Sequence, residues 1–204
     1  MNYIYENKYS IPVPLCDDII KMFENENYYD GVTVSGVNKT VKNTSDFIIP
    51  HSKIEKVTKW EKIEKFLTKE LHKNLQKYLS NINNSENYLP KNNNEKNGSM
   101  LKGINLTVEH FMIQKYELQK GFYIYHDDFH VNKNMDKHRV ITFLWYLNTV
   151  DEGGETEFWD SLKIKPEKGK LILFPSFWCF PHRARIPISN NKYIITGWFY
   201  KDHV

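Results

Sequence analysis

The run HRVITFLWYLN at residues 138–148 constrains the fold more than any other stretch of the chain. Read as a strand, it has no polar face. Ile141, Phe143, Trp145 and Leu147 lie on one side, and Val140, Leu144 and Tyr146 on the other. A strand that is apolar on both sides has to be covered on both sides. Thr142 shares the second face, where a lone hydroxyl needs a hydrogen-bond partner.

The neighbouring sequence supplies partners for such a strand. After Gly103 come INLTVEHFMIQKY, FYIYHD, a GGETEF turn and strand, KGKLILFP and KYIITGWFY, and runs of this kind broken by turn residues predict an antiparallel sandwich or barrel. The covering layer is predicted at residues 57–82. There Trp60, Ile63, Phe66, Leu67, Leu71, Leu75, Tyr78, Leu79 and Ile82 recur at intervals of three or four, the spacing of an amphipathic helix. His72 falls off that stripe and reads as a surface residue. A shorter helix is expected from Pro14 through LCDDIIKMFEN, with Asp17 and Asp18 near its positive end. Between the helices, the polar stretch from Gly31 to Pro50 reads as short strands and loops with no visible function. Residues 81–98, NINNSENYLPKNNNEKNG, are too polar for a core and read as a mobile loop. The expectation is an α+β fold, a jelly roll with N-terminal helices packed on one sheet. It forms a single domain over 1–204, with a helical support region and Asn-rich loop at 1–103 and the jelly-roll core at 104–204.

Composition excludes several classes. Hydrophobic residues at 40% rule against disorder, and 28 basic against 25 acidic residues is too even a balance for a nucleic-acid binder. Residues 160–204 carry eight Lys/Arg and three Asp/Glu, which reads as a solvated basic face. Cys16 and Cys179 are too few for a disulfide framework and have no metal-ligand spacing, which suits a reducing compartment. The first residues lack a basic segment followed by an apolar one, and no apolar run reaches membrane-spanning length. The expected protein is soluble and cytoplasmic, with no membrane and no nucleic-acid partner.

The chemistry concentrates at the end of YELQKGFYIYHDD. On a strand, His126 and Asp128 share a face while Asp127 points away. His182, in WCFPHRARIP after the KGKLILFP strand, supplies a third group. Two histidines and one carboxylate on one side of an iron form a facial triad with open positions for substrates. His130 and His138 are rivals, but both sit in or beside the polar loop FHVNKNMDKH.

These residues resemble the Fe(II)- and 2-oxoglutarate-dependent oxygenases, particularly the prolyl 4-hydroxylase-like branch and a related group in phage genomes. The likeness spans about 104–200 and runs through Tyr116, His126 and Asp128, then RVITFLWYLN with DEGGETEF, the KIKPEKGKLILFP strand pair, His182, Lys192 ten residues later, and Trp198 six beyond. It implies a double-stranded β-helix with Fe(II), 2-oxoglutarate and O2, and ascorbate as an accessory. By the resemblance, His126, Asp128 and His182 hold the metal, and Lys192 holds the remote carboxylate of 2-oxoglutarate with hydroxyl contacts from Tyr116 and Thr142. Tyr123 and Trp198 would flank a target proline, although Tyr123 is at an odd offset from His126 and needs a bulge to reach the same face. Arg183 and Arg185 are candidates for substrate backbone or carboxylate groups. The implied reaction is hydroxylation of a C–H bond, foremost peptidyl-proline 4-hydroxylation, on a peptide or protein substrate in the cytoplasm, or in a host's cytoplasm for a viral protein. The same centre on a free amino acid, nucleobase or other small molecule is the alternative, and a non-catalytic jelly-roll binding or structural module is the third.

Overall fold

In this computed structural model, residues 3–51, 59–83, 105–134 and 136–202 are described. The N-terminal part forms β1 (Tyr5–Asn7), α1 (Val13–Glu24), β2 (Tyr29–Asp30), β3 (Val32–Thr33), β4 (Gly36–Val37), β5 (Lys42–Asn43), β6 (Ser45–Ile48) and α2 (Glu61–Asn83). Strands follow: β7 (Leu106–Val108), β8 (Met112–Tyr116), β9 (Phe122–His126), β10 (Val131–Asn132), β11 (Lys137–Tyr146), β12 (Thr156–Phe158), β13 (Leu162–Ile164), β14 (Leu171–Pro175), β15 (His182–Ala184) and β16 (Lys192–Asp202). The larger sheet has the order β1-β14-β11-β16-β8-β6-β2, with β10 added on β11 and β7 on β16. The smaller has the order β13-β12-β15-β9-β5, and β3 and β4 form a separate hairpin. This is the expected jelly roll, a double-stranded β-helix with two helices on one sheet.

The doubly apolar run is β11, at the heart of the larger sheet between β14 and β16. Ile141, Phe143, Trp145 and Leu147 face outward into a core shared with Cys16, Ile19 and Phe23 of α1 and with Trp60, Ile63, Leu67, Leu71, Leu75 and Tyr78. Leu144 and Tyr146 face inward, joining Tyr116, Phe158, Ile164, Ile172, Phe174 and Ile194 between the sheets. Val140 departs from the expected alternation and belongs to the outer core. The cause is a bulge: Arg139 pairs with Tyr200 and Ile141 with Phe199, so two steps on β11 match one on β16.

Polar groups under the helical layer are paired. The Trp145 indole donates to the Ser10 hydroxyl (2.9 Å), and the buried Asn74 Oδ1 accepts from the Tyr5 hydroxyl (3.0 Å) and from Asn7 Nδ2 (2.8 Å). These bonds tie β1 and α2 to the back of the larger sheet. His72 is exposed, as expected. Asp17 does not cap α1, which starts at Val13 with no side-chain cap; it pairs instead with Lys168 (2.7 Å).

The polar stretch before Pro50 has a larger part than its composition suggested. Its strand β5 pairs with β9 and β6 pairs with β8, so it edges both sheets and closes one wall between them. The Asn-rich segment lies outside the described residues beyond residue 83, as does the start of the expected helix at 57–58. No helix among the described residues is long and apolar enough to cross a membrane.

Candidate active site

Two neighbouring strands of the smaller sheet, β9 and β15, assemble the proposed donor set. His182 on β15 lies directly across from His126 on β9, and Asp128 follows two residues after β9 ends. One ligand-type atom from each of His126, Asp128 and His182 lies within 4.8 Å of the others, the one such group found among the described residues. His126 Nε2 is 3.8 Å from Asp128 Oδ1, and His182 Nε2 is 3.5 Å from Asp128 Oδ2. The second nitrogen of each ring is occupied. His126 Nδ1 lies 2.8 Å from the Ile124 carbonyl oxygen and His182 Nδ1 3.1 Å from that of Phe180. Donation at Nδ1 leaves each Nε2 with its lone pair turned to the shared space.

Electrostatics favour the ligand-competent protonation states. Burial, with His182 beside it, pushes the His126 imidazole down to about 3, which keeps it neutral. Burial alone would raise the Asp128 carboxyl, but His182, His126 and the Thr142 hydroxyl outweigh it and hold the group below the usual carboxylate range. Thr142 finds the partner its position required: its hydroxyl donates to Asp128 Oδ2 (2.8 Å) and shares a hydrogen bond with Ser176 (2.9 Å). It therefore supports the carboxylate. The neutral His126 imidazole and the ionised Asp128 carboxylate, with His182 beside them, form a donor set suited to a divalent first-row metal with open coordination positions. His130 and His138 lie outside the group.

A cavity of about 560 Å³ opens from this cluster between the sheets, and both Lys192 and Trp198 line it. Lys192 begins β16 opposite Tyr116, whereas Trp198 pairs with Thr142 beside Asp128. Six strand residues separate them by roughly 20 Å, so they mark opposite ends. The Lys192 side chain is fully buried. Its ammonium donates to the Gly154 carbonyl (2.8 Å) and stands 4.3 Å from the centre of the Tyr116 ring. Two consecutive left-handed residues, Gly153 (φ +74°) and Gly154 (φ +71°), deliver that carbonyl, and a Cβ at Gly153 would meet the Ile186 carbonyl oxygen at 2.4 Å. Burial lowers Lys192 to about 7, with only Glu155 pulling it back up. A buried ammonium with no carboxylate at bonding distance among the described residues suits an anionic ligand.

Tyr123 reaches the cavity by the bulge its odd offset demanded. His182 pairs with His126 but Ala184 with Tyr123, so β9 holds one extra residue. The Tyr123 ring stacks on His126 with centroids 3.5 Å apart. The two proposed substrate arginines are committed elsewhere. Arg183 touches the rim but bonds Glu157 and Asp160. Arg185 is absent from the cavity lining and bonds Glu157 (2.7 Å) on the outer face of the smaller sheet. Alternation with His182 turns Arg183 on β15, and Arg185 just beyond the strand, toward that buried carboxylate or the rim rather than toward the centre.

The sequence places Arg139 near the proposed site but gives it no role; its guanidinium carbon stands 3.5 Å from the centre of the Trp198 ring while Nε donates to the Tyr200 hydroxyl (3.1 Å). Simple alternation puts Arg139 on the helix side; the bulge at Val140 turns it into the cavity. The Trp198 Nε1 donor beside it is buried without a hydrogen-bond partner among the described residues. Also missed was a polar wall of Lys42, Asp46 and Gln114. Its one sequence trace was a glutamine two residues from Tyr116 on an apolar strand.

Comparison with known proteins agrees with this architecture. Residues 111–200 match the 2OG-Fe(II) oxygenase superfamily. Prolyl 4-hydroxylase 13 of Arabidopsis thaliana is 31% identical over 44% of this chain and 42% of its own length, so the chain spans about two fifths of that curated relative. Among solved structures, the viral collagen prolyl hydroxylase of Paramecium Bursaria Chlorella virus-1, as a 2OG complex, superposes with TM-score 0.66 at 16% identity, covering 99% of this chain and 97% of that one. A Trichoplax adhaerens prolyl hydroxylase bound to a hypoxia inducible factor peptide fragment gives TM-score 0.67 at 19% identity, with 98% and 84% covered. At these identities the structural likeness is one of fold.

Proposed function

We propose that this chain, whose residues 111–200 match the 2OG-Fe(II) oxygenase superfamily, is an Fe(II)- and 2-oxoglutarate-dependent dioxygenase that hydroxylates prolyl residues of a peptide. The observation that carries the reading is the convergence of His126, Asp128 and His182 at a cavity that also holds the buried Lys192. With Fe(II), 2-oxoglutarate and O2 bound, the centre would supply the oxidising power to hydroxylate an unactivated C–H bond, with release of succinate and CO2.

The residues divide the remaining work. His126 and His182 offer Nε2, and Asp128 offers a carboxylate oxygen steadied by Thr142. Lys192 pairs with the remote carboxylate of the co-substrate, and Tyr116 offers it a hydroxyl. Tyr123, braced on His126, and Trp198, braced under Arg139, form aromatic walls for a prolyl ring. The free Trp198 indole N–H and the Arg139 guanidinium present donors to peptide carbonyls, which favours a peptide over an apolar small molecule. The peptide fragment held by the Trichoplax neighbour is consistent with that choice.

The test is spectroscopic first. Anaerobic addition of Fe(II) and 2-oxoglutarate is expected to give a weak visible charge-transfer band that Asp128→Ala abolishes. Absence of both the band and iron binding in the parent protein would overturn the reading. Succinate release should rise with proline-rich peptides; stimulation by a free amino acid or nucleobase alone would reassign the substrate.

A further inference from the structure

Beside the co-substrate end lies an ion pair that the proposed chemistry does not use. Lys42 Nζ and Asp46 Oδ2 are 2.6 Å apart, with side chains 3% and 1% exposed. Burying two charges costs desolvation that their attraction does not reliably repay, so stability alone is a poor reason to keep such a pair. The Asp46 carboxylate also accepts from the Thr44 hydroxyl at Oδ1 (2.7 Å) and from Gln114 Nε2 at Oδ2 (3.2 Å). A carboxylate only accepts, so it fixes which way the Gln114 amide faces. The amide oxygen is thereby turned to Tyr116, whose hydroxyl donates to it (3.0 Å). Burial pushes the Tyr116 phenol well above its ordinary value, so it keeps its proton, and it has only one to give.

We propose that Asp46, held by Lys42, and Gln114 are positioning residues that direct the Tyr116 hydroxyl proton away from the Lys192 end of the cavity and so set the affinity for 2-oxoglutarate. The inference rests on the reading that the co-substrate carboxylate docks at Lys192. An incoming carboxylate has to draw the Tyr116 proton from Gln114, leaving a buried amide oxygen without a donor. That exchange weakens co-substrate binding relative to a chain in which Tyr116 is free to donate.

The test is a double-mutant cycle on the Mn(II)-loaded protein under anaerobic conditions, with 2-oxoglutarate binding followed by calorimetry. Gln114→Leu removes the competing acceptor and leaves the ion pair in place. It is expected to tighten binding roughly threefold to tenfold, the worth of one neutral hydrogen bond. In a Tyr116→Phe background the same substitution should change nothing, because no hydroxyl proton remains to redirect. Lys42→Met/Asp46→Asn, which removes the ordering carboxylate without stranding a buried charge, should reproduce the tightening. Unchanged or weaker binding in Gln114→Leu overturns the proposal, as does an equal change in the Tyr116→Phe background, the signature of a merely structural effect. Parent protein that binds Mn(II) but no 2-oxoglutarate overturns the function itself, a result distinct from both.

Discussion

Among single residues, Lys192 makes the sharpest statement about binding. Its ammonium titrates near 7 because burial penalises the charge, whereas a free lysine titrates near 10.5. An anion docked against it would restore the higher value, so between about pH 7 and pH 10 co-substrate binding takes up a proton. Affinity for 2-oxoglutarate should therefore fall as pH rises through that window, by up to about tenfold per unit. Calorimetry in two buffers of different ionisation enthalpy would reveal the proton; Lys192→Arg, whose charge does not titrate there, should flatten the profile. For stability of the co-substrate-free protein the sign is opposite. The unfolded chain binds this proton more tightly, so the lysine's penalty is present near pH 7 and shrinks as pH approaches 10. The sequence marked Lys192 only through its spacing after His182. Its burial and its lone carbonyl partner depend on the Gly153–Gly154 turn, which no local pattern ties to it.

At the scale of elements, strand parity was readable and bulges were not. His126, Asp128 and Thr142 follow alternation, whereas Tyr123 and Arg139 enter the cavity because β9 and β11 each carry an extra residue. A bulge arises from pairing with a distant strand, and so leaves no trace in the local period. The outer face of the smaller sheet shows what holds those strands in register. Glu157 on β12 is fully buried and takes hydrogen bonds from Tyr125 on β9 and from Arg185 just past the end of β15, with Arg183 on β15 paired to it as well. Burial would raise its carboxyl, but Arg185, Tyr125 and Arg183 hold it at about 2. The cluster's contribution is thus complete above about pH 4.5 and is lost as pH falls toward 2. Glu157→Gln should lower stability at neutral pH by roughly 1–3 kcal/mol, the modest end for a buried pair because both arginines are partly solvated. Chemical denaturation at pH 7 and pH 3 checks it: the difference between parent and variant should narrow at the lower pH. Since the same three strands carry His126 and His182, metal affinity should weaken alongside.

For the molecule as a whole, the doubly apolar β11 and the periodic helix made the layered fold legible, because each creates a large burial demand that only the other satisfies. The strands at residues 29–48 were not legible. They are two to four residues long, and β5 and β6 are anchored by strands far along the chain, β9 and β8, as Asp46 is by Gln114. The layering separates stability from site geometry. Leu71 is fully buried in the outer core beneath α2, and Phe174 is fully buried in the inner core with its ring 4.8 Å from that of His182. Leu71→Ala should cost about 2–5 kcal/mol and Phe174→Ala about 3–5 kcal/mol, similar losses by the same cavity mechanism. Their effects on metal should differ. The outer cavity is shielded from the donor set by the sheet, so the folded fraction of Leu71→Ala should bind Mn(II) as the parent does. The inner cavity lets the His182 ring move, so Phe174→Ala should weaken Mn(II) binding in the folded protein as well. Denaturant titration paired with Mn(II) binding below the unfolding transition separates the two, and equal loss of affinity in both variants would mean that the sheet transmits strain instead of isolating the site.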